Sequence, residues 1–212
     1  MLRAELDRLL AQTQLSVSDA QRQQLVHFVE LLAKWNQAYN LTSVRDPLQM
    51  VGRHILDSLV VAPYLASAQC QRIIDVGTGP GLPGVPLAIL YPEKEFVLLD
   101  SLGKRIRFLN EVKRQLGLNN ITPLQSRVEA HQAADGYHAV LSRAFANLQD
   151  MVDWCQHLPA AEGRFLAMKG AAVEEEIAAL ADFVRVTAVH ALELPEQACA
   201  RYLVELVKTT AA

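Results

Sequence analysis

Cysteine is scarce in this 212-residue chain, with Cys70, Cys155 and Cys199 far apart. They match neither a zinc-ligand spacing nor a paired disulfide framework, so no metal is expected and the thiols read as reduced and structural. Long apolar runs are missing as well. The longest candidates are interrupted by Asp75, Pro92 and Glu93, and Arg3, Glu5, Asp7 and Arg8 break up the N-terminal leucines where a signal peptide needs an apolar segment. A cytoplasmic protein with no membrane partner is expected, and the Asn40-Leu41-Thr42 glycosylation match has no consequence without secretion. Net charge is also small, at −3, so any polyanionic partner must be held by a local basic patch. There is no internal repeat and no low-complexity linker. With 51% hydrophobic and 20% charged residues, the chain has the composition of one globular domain with room for a helical extension.

What is present in quantity is glycine at one place. Ile73-Ile74-Asp75-Val76 reads as a strand entering the bend Gly77-Thr78-Gly79-Pro80-Gly81-Leu82, with an acid at its mouth. Glycines so closely spaced accept φ > 0 and let the backbone come near a ligand. A dinucleotide fingerprint needs a further glycine where Leu82 stands, which disfavours NAD. The next strand, residues 95–100, ends in Asp100, placed to hold both ribose hydroxyls of a nucleoside cofactor. Loop and acid together suit S-adenosylmethionine, which has a ribose and no phosphate; a tight turn with nothing bound is the alternative.

Residues 1–66 read as a helical extension. Ser18 and Gln21 can form a capping box, followed by Leu25, Phe28, Val29, Leu32, Trp35 and Tyr39 at helical spacing. Asp46-Pro47 starts another helix carrying Met50, Ile55, Leu59 and Val60, on which Arg53 and Asp57, four apart, can pair. Residues 67–212 form the second unit. Strands ending at Asp75 and Asp100 are followed by β-rich stretches at 121–128, 137–145 and 163–169, separated by helical patterns, which implies right-handed βαβ units. Residues 184–194 and 201–208 are joined by a link at 195–199 too short for a parallel crossover, so the last strand should insert antiparallel. This is the α/β, Rossmann-like, seven-stranded arrangement of class I S-adenosylmethionine-dependent methyltransferases.

The motifs are closer than the fold. Ile74 to Gly84, Leu99-Asp100-Ser101-Leu102-Gly103-Lys104-Arg105, Gln125-Ser126-Arg127-Val128-Glu129 and Ser142-Arg143-Ala144-Phe145-Ala146 strongly resemble the RsmG family, also called glucose-inhibited division protein B. Trp35-Asn36, Tyr39 to Ser43 and Arg53 to Ser58 agree with its N-terminal signature. The resemblance implies methylation of guanine N7, at guanine 527 of bacterial 16S ribosomal RNA, with S-adenosylmethionine as cofactor. It also implies the RNA or the small ribosomal subunit as partner, for a protein expected to be a monomer. Two alternatives remain open at this point, a class I methyltransferase for a small molecule and a non-catalytic RNA-binding assembly module.

On this reading the cofactor residues are Asp75, Gly77, Thr78, Gly79, Gly81, Leu82, Asp100 and Ser101, with Asp75 reaching the amino group directly or through water. Val128 and Glu129 are assigned to the adenine edge, and Arg143 is placed at the cofactor edge. Many amino methyltransferases end their fourth strand in an acid, prolines and an aromatic; here that position reads Ser142-Arg143-Ala144-Phe145. Guanine N7 already has an in-plane lone pair, so no general base is needed. Arg143 is the catalytic candidate through substrate placement, because a cation opposes the charge gained by the methylated purine; a structural arginine paired with an acid is the bland reading. The RNA rim is expected from Arg53, His54, Lys104, Arg105, Arg107, Arg114 and Lys169. Of these, Lys104, Arg107 and Arg114 share one helix face, while Ile106, Leu109, Val112 and Leu116 face the sheet.

Overall fold

The computed structural model describes residues 1–196 and 200–209, so Cys199 and part of the expected link at 195–199 lie outside the described residues. Helix α1 (Leu2–Leu10) precedes α2 (Asp19–Tyr39). The capping box forms as expected: Ser18 Oγ accepts from the Gln21 N–H and the Gln21 side chain accepts from the Ser18 N–H. Helix α3 (Pro47–Met50) is capped by Asp46, and the chain continues as a π-helical turn (Val51–Leu56), α4 (Asp57–Leu59) and a 3-10 turn (Ala62–Leu65).

The second half alternates as the periodicity predicts. Strands β1 (Arg72–Val76), β2 (Glu95–Asp100), β3 (Ile121–Gln125) and β4 (Tyr137–Ser142) are interleaved with α5 (Gly84–Leu90) and α6 (Gly103–Leu116). After β4 come α7 (Leu148–Cys155), β5 (Pro159–Lys169), α8 (Val173–Ala178), β6 (Val184–Ala191) and β7 (Tyr202–Lys208). The third strand ends three residues before the expected Val128, because residues 128–130 close into a 3-10 turn. One sheet results, in the order β3-β2-β1-β4-β5-β7-β6, parallel except that β7 runs antiparallel to both β5 and β6. The order reverses direction between β1 and β4, and ligands of such sheets bind beyond the strand ends at that point.

Alternation along the strands splits the core into two layers. Ile73, Phe96, Leu98, Leu141 and Leu166 pack with α5, α6 and the N-terminal helices, whereas Ile74, Leu99, Val140 and Phe165 pack with α7. The N-terminal helices therefore share one apolar layer with the sheet. Phe28 of α2 and Phe108 of α6 are fully buried with ring centroids 6.2 Å apart, each worth about 1.5–3 kcal/mol of burial. Cys70 and Cys155 are free and buried, and burial pushes the Cys155 thiol up to about 12. Among the described residues no helix is long and apolar enough to cross a membrane, and no group of three or more His, Cys, Asp or Glu could hold a metal ion.

Candidate active site

The bend after β1 forms because Gly77, Gly79 and Gly81 take φ of 68°, 60° and 94°, a region that residues with a Cβ rarely enter. A Cβ on Gly77 would lie 2.7 Å from the Ala144 Cβ and one on Gly81 2.4 Å from Val85 Cγ2, but one on Gly79 would meet nothing within 4 Å. Two glycines permit close packing and the third borders open room. Thr78 and Leu82 are buried behind the bend. Asp75 is wholly enclosed beneath it, its Oδ2 accepting from Thr78 Oγ1 at 2.7 Å and from the Gly84 N–H at 2.9 Å. Burial raises its pKa to about 6 against the pull of those hydrogen bonds. Asp75 anchors the loop, and only its enclosed, unpartnered Oδ1 is left for a ligand's amino group.

Asp100 is similarly engaged. Its Oδ2 accepts from the Gly79 N–H at 3.0 Å and from Arg105 Nη1 at 2.9 Å, and its Oδ1 accepts from the Leu102 N–H at 2.9 Å. A carboxylate has about four lone-pair sites, so one remains while Arg105 stays in place. It can take one ribose hydroxyl, where the sequence suggested two. Around it lies a cleft of about 380 Å³, lined by Gly77, Asp100, Ser101, Arg105, Val128 and Glu129, with Ala144, Phe145 and Trp154 opposite. That is within the roughly 300–1,000 Å³ of small-molecule sites. His157 Nε2, 3.2 Å from the Val128 carbonyl and 3.0 Å from that of His131, shares its N–H between them and pins the turn bearing Val128 and Glu129. Arg105 Nε is buried and unpartnered. An unused acceptor, an unused donor and the room at Gly79 fit a cofactor with an amino group and ribose hydroxyls.

A larger cleft of about 730 Å³ opens beside it, lined by Arg53, His54, Arg143, Lys169 and Arg201, with Phe145 in the wall of both. At its base Asp57 is fully buried and carries two arginines: Arg143 Nη1 donates to Oδ2 at 2.9 Å and Arg201 Nε to Oδ1 at 3.0 Å. The expected surface pair of Arg53 with Asp57 does not form. The π turn closes with the Asp57 N–H on the Gly52 carbonyl, a wider turn that swings Asp57 off the face of Arg53 and beneath the sheet edge. His54 is also buried, with Nε2 2.8 Å from Thr42 Oγ1 and Nδ1 3.1 Å from the Arg53 carbonyl. Burial first, then the Arg143 charge, lower its pKa to about 4, so at neutral pH it is a neutral hydrogen-bonding group.

The family described as rRNA small subunit methyltransferase G matches residues 21–204. The chain belongs to this family. A ribosomal RNA small subunit methyltransferase G from Vibrio cholerae serotype O1 is 57% identical over 206 residues, covering 97% of each chain. Its counterpart from Salmonella paratyphi B is 58% identical over 200 residues, covering 94% of this chain and 95% of that one. Among solved structures, a SAM-dependent methyltransferase from Geobacter sulfurreducens in complex with S-adenosyl-L-homocysteine superposes with a TM-score of 0.59 at 8% identity, over 85% of this chain and 98% of that one. TrmN from Thermus thermophilus gives 0.57 at 16% identity, over 75% and 53%. These two likenesses establish the class I methyltransferase fold.

Within this methyltransferase fold the other expected rim residues disperse. Arg105 lies in the smaller cleft on Asp100 and not in the larger cleft, since its position in the first turn of α6 points back over the end of β2. Arg143 lines the larger cleft and not the smaller, because Asp57 draws it there. Lys169 Nζ donates to the Phe145 carbonyl at 3.2 Å and the Ala146 carbonyl at 2.9 Å and pairs with Glu176 at 2.8 Å, so its ammonium is already occupied. Lys104 Nζ donates to the Tyr39 carbonyl, and Arg107 stays exposed on α6. Arg114, paired with Glu111, sits in the last turn of that 14-residue helix, about 15 Å or more along the axis from the clefts at its other end. Sequence reasoning passed over Arg201 and Trp154, and saw Phe145 only as part of a motif. Arg201 has no local signal at all, whereas Asp57 stood in the Arg53 to Ser58 signature and was given the wrong partner.

Proposed function

We propose that this protein transfers a methyl group from S-adenosylmethionine to N7 of guanine 527 in 16S ribosomal RNA. The observation that carries this reading is a pair of adjoining clefts, one sized for a nucleoside cofactor and one lined by arginines, with Phe145 common to both. S-adenosylmethionine supplies an electrophilic methyl group when bound. Asp100 and Ser101 would hold its ribose, Val128 and Glu129 its adenine, and the Gly77 to Gly79 backbone its amino-acid end, with Asp75 keeping that backbone in shape.

The lining of the larger cleft suits attack by a group that needs no deprotonation. Guanine N7 presents a free lone pair in the ring plane. Among the described lining residues, His54 is neutral with both nitrogens hydrogen-bonded, and Glu196 is paired with Arg8. Placement in line with the donor is then the protein's main contribution, for which fixed geometry can supply on the order of 7–11 kcal/mol at best. Small ribosomal subunits lacking this methyl group, incubated with labelled S-adenosylmethionine, then mapped by RNA fragment for the labelled position and digested to nucleosides for its identity, test the reading. Label in 7-methylguanosine at position 527 is expected, with single-turnover rates nearly flat between about pH 6 and 9. Label in another nucleoside or in protein would overturn it.

A further inference from the structure

The larger cleft holds a construction that methyl transfer alone does not require. Arg143 follows β4, Arg201 precedes β7 and Asp57 opens α4, so three separate stretches meet on one carboxylate that is itself inaccessible to solvent. Each guanidinium uses one N–H on Asp57 and has four others. Both arginines line the cleft and are partly exposed, 27% for Arg143 and 36% for Arg201. The trio carries one net positive charge.

We propose that Asp57 is a positioning residue that holds Arg143 and Arg201 as a two-guanidinium fork for one phosphodiester of the RNA beside the target guanine, an inference that rests on the RNA methyltransferase reading above. A base edge is the wrong ligand. Arginine recognises guanine through O6 and N7, but an N–H on the N7 lone pair would block the atom that has to attack. A phosphodiester offers paired anionic oxygens that match the planar donors without that conflict. The neighbouring cation Lys169 is held by two carbonyls and Glu176. The fork and Arg53 therefore supply the cleft's uncommitted positive donors among the described residues.

A carboxylate beneath a phosphate site weakens it by simple electrostatics and strengthens it only by fixing geometry, so the two roles predict opposite signs. Asp57→Asn keeps the shape and adds one positive charge. The experiment measures KM for unmethylated small ribosomal subunits and its salt dependence, with calorimetric S-adenosylmethionine affinity and thermal unfolding alongside. Asp57→Asn is expected to raise KM by about tenfold and to lower the salt slope by about one unit, with cofactor affinity within about twofold of the parent. Arg201→Ala should do the same, and Arg201→Lys should recover salt slope but little of the KM, because an ammonium lacks the two-point geometry. An unchanged or lower KM in Asp57→Asn overturns the fork. Should that variant not fold, the two Arg201 variants decide, and parent-like KM in both overturns it. A parent protein that transfers no methyl group removes the functional reading and the fork's ligand with it; a parent that transfers while its variants keep KM and salt slope removes the fork alone.

Discussion

The smaller cleft takes Gly77, Asp100, Ser101 and Arg105 from the run β1 to α6 and closes with Val128, Glu129, Ala144, Phe145 and Trp154, whereas the larger draws Arg53, Arg143, Lys169 and Arg201 from elements spread from the N-terminal helices to the edge of β7. In the first, backbone conformation does most of the shaping: three glycines at positive φ and N–H groups of Gly79, Gly84 and Leu102 held on two carboxylates. In the second, side-chain ion pairs do it, with Asp57 holding Arg143 and Arg201, Glu176 holding Lys169 and Glu196 holding Arg8. A cofactor site made of backbone tolerates little change in residue size. A polyanion site made of paired charges tolerates changes in size and responds to charge and geometry.

That contrast is broken most forcefully at Gly81. Gly81→Val combines φ of 94° with a Cβ 2.4 Å from Val85 Cγ2, and left-handed strain plus overpacking should destabilise the fold by about 3–5 kcal/mol. Gly79→Ala, with nothing near its Cβ, should lose only about 1–2 kcal/mol while weakening S-adenosylmethionine binding. Urea unfolding and calorimetry on both variants separate the two roles, and equal stability losses would mean the glycines are not divided as described.

The buried titrating groups differ in sign between the clefts. Asp75 folds with a pKa of about 6 against 3.8 unfolded, so the native state holds a proton that the unfolded chain releases. Its contribution is fully present below pH 3.8 and is lost as pH rises towards 6, on the order of 3 kcal/mol. His54, at about 4 against 6.5, contributes stability above pH 6.5 that is lost as pH falls towards 4, of similar size. Stability measured from pH 4 to 7 should show the parent losing ground to Asp75→Asn as pH rises and gaining on His54→Gln. Curves parallel to the parent's in both variants would contradict these environments.

Arg105 sharpens the border between the clefts. Arg105→Ala should weaken S-adenosylmethionine binding by about tenfold, the worth of one charge-assisted hydrogen bond near 1.4 kcal/mol, and leave the salt dependence of subunit binding alone. The reverse pattern would return it to the RNA face. The smallest effect belongs to Arg114→Ala, whose pair with Glu111 is exposed to solvent and screened by it. Parent-like KM for subunits is expected, and a tenfold rise would bring the far end of α6 into the interface.

The legible parts of the sequence are those where cause and effect lie close together along the chain. Ser18 with Gln21, Asp46 with Pro47, and the glycines after Val76 each fix a local conformation through neighbours, and each is found as read. The partners of Arg105 and Lys169 are not legible in the sequence, for a common reason. A basic residue near a rim looks like a phosphate ligand until its acid is known, and Asp100 and Glu176 become those partners only when strand and helix ends converge. Asp57 went astray through helix type, since an i to i+4 pairing presumes α geometry and the chain takes a π turn.

By itself the sequence determined the α/β alternation, the antiparallel return of β7 and the glycine bend with its two acids, because hydrophobic period, loop length and φ > 0 are local constraints that the residues impose wherever they are. Only the tertiary structure decided which carboxylate holds which arginine. Asp57, Arg143 and Arg201 are brought within 3.0 Å by the packing of the N-terminal helices on the sheet, and a buried charge takes whichever partner that packing delivers, since leaving it unpaired costs more than any preference along the chain.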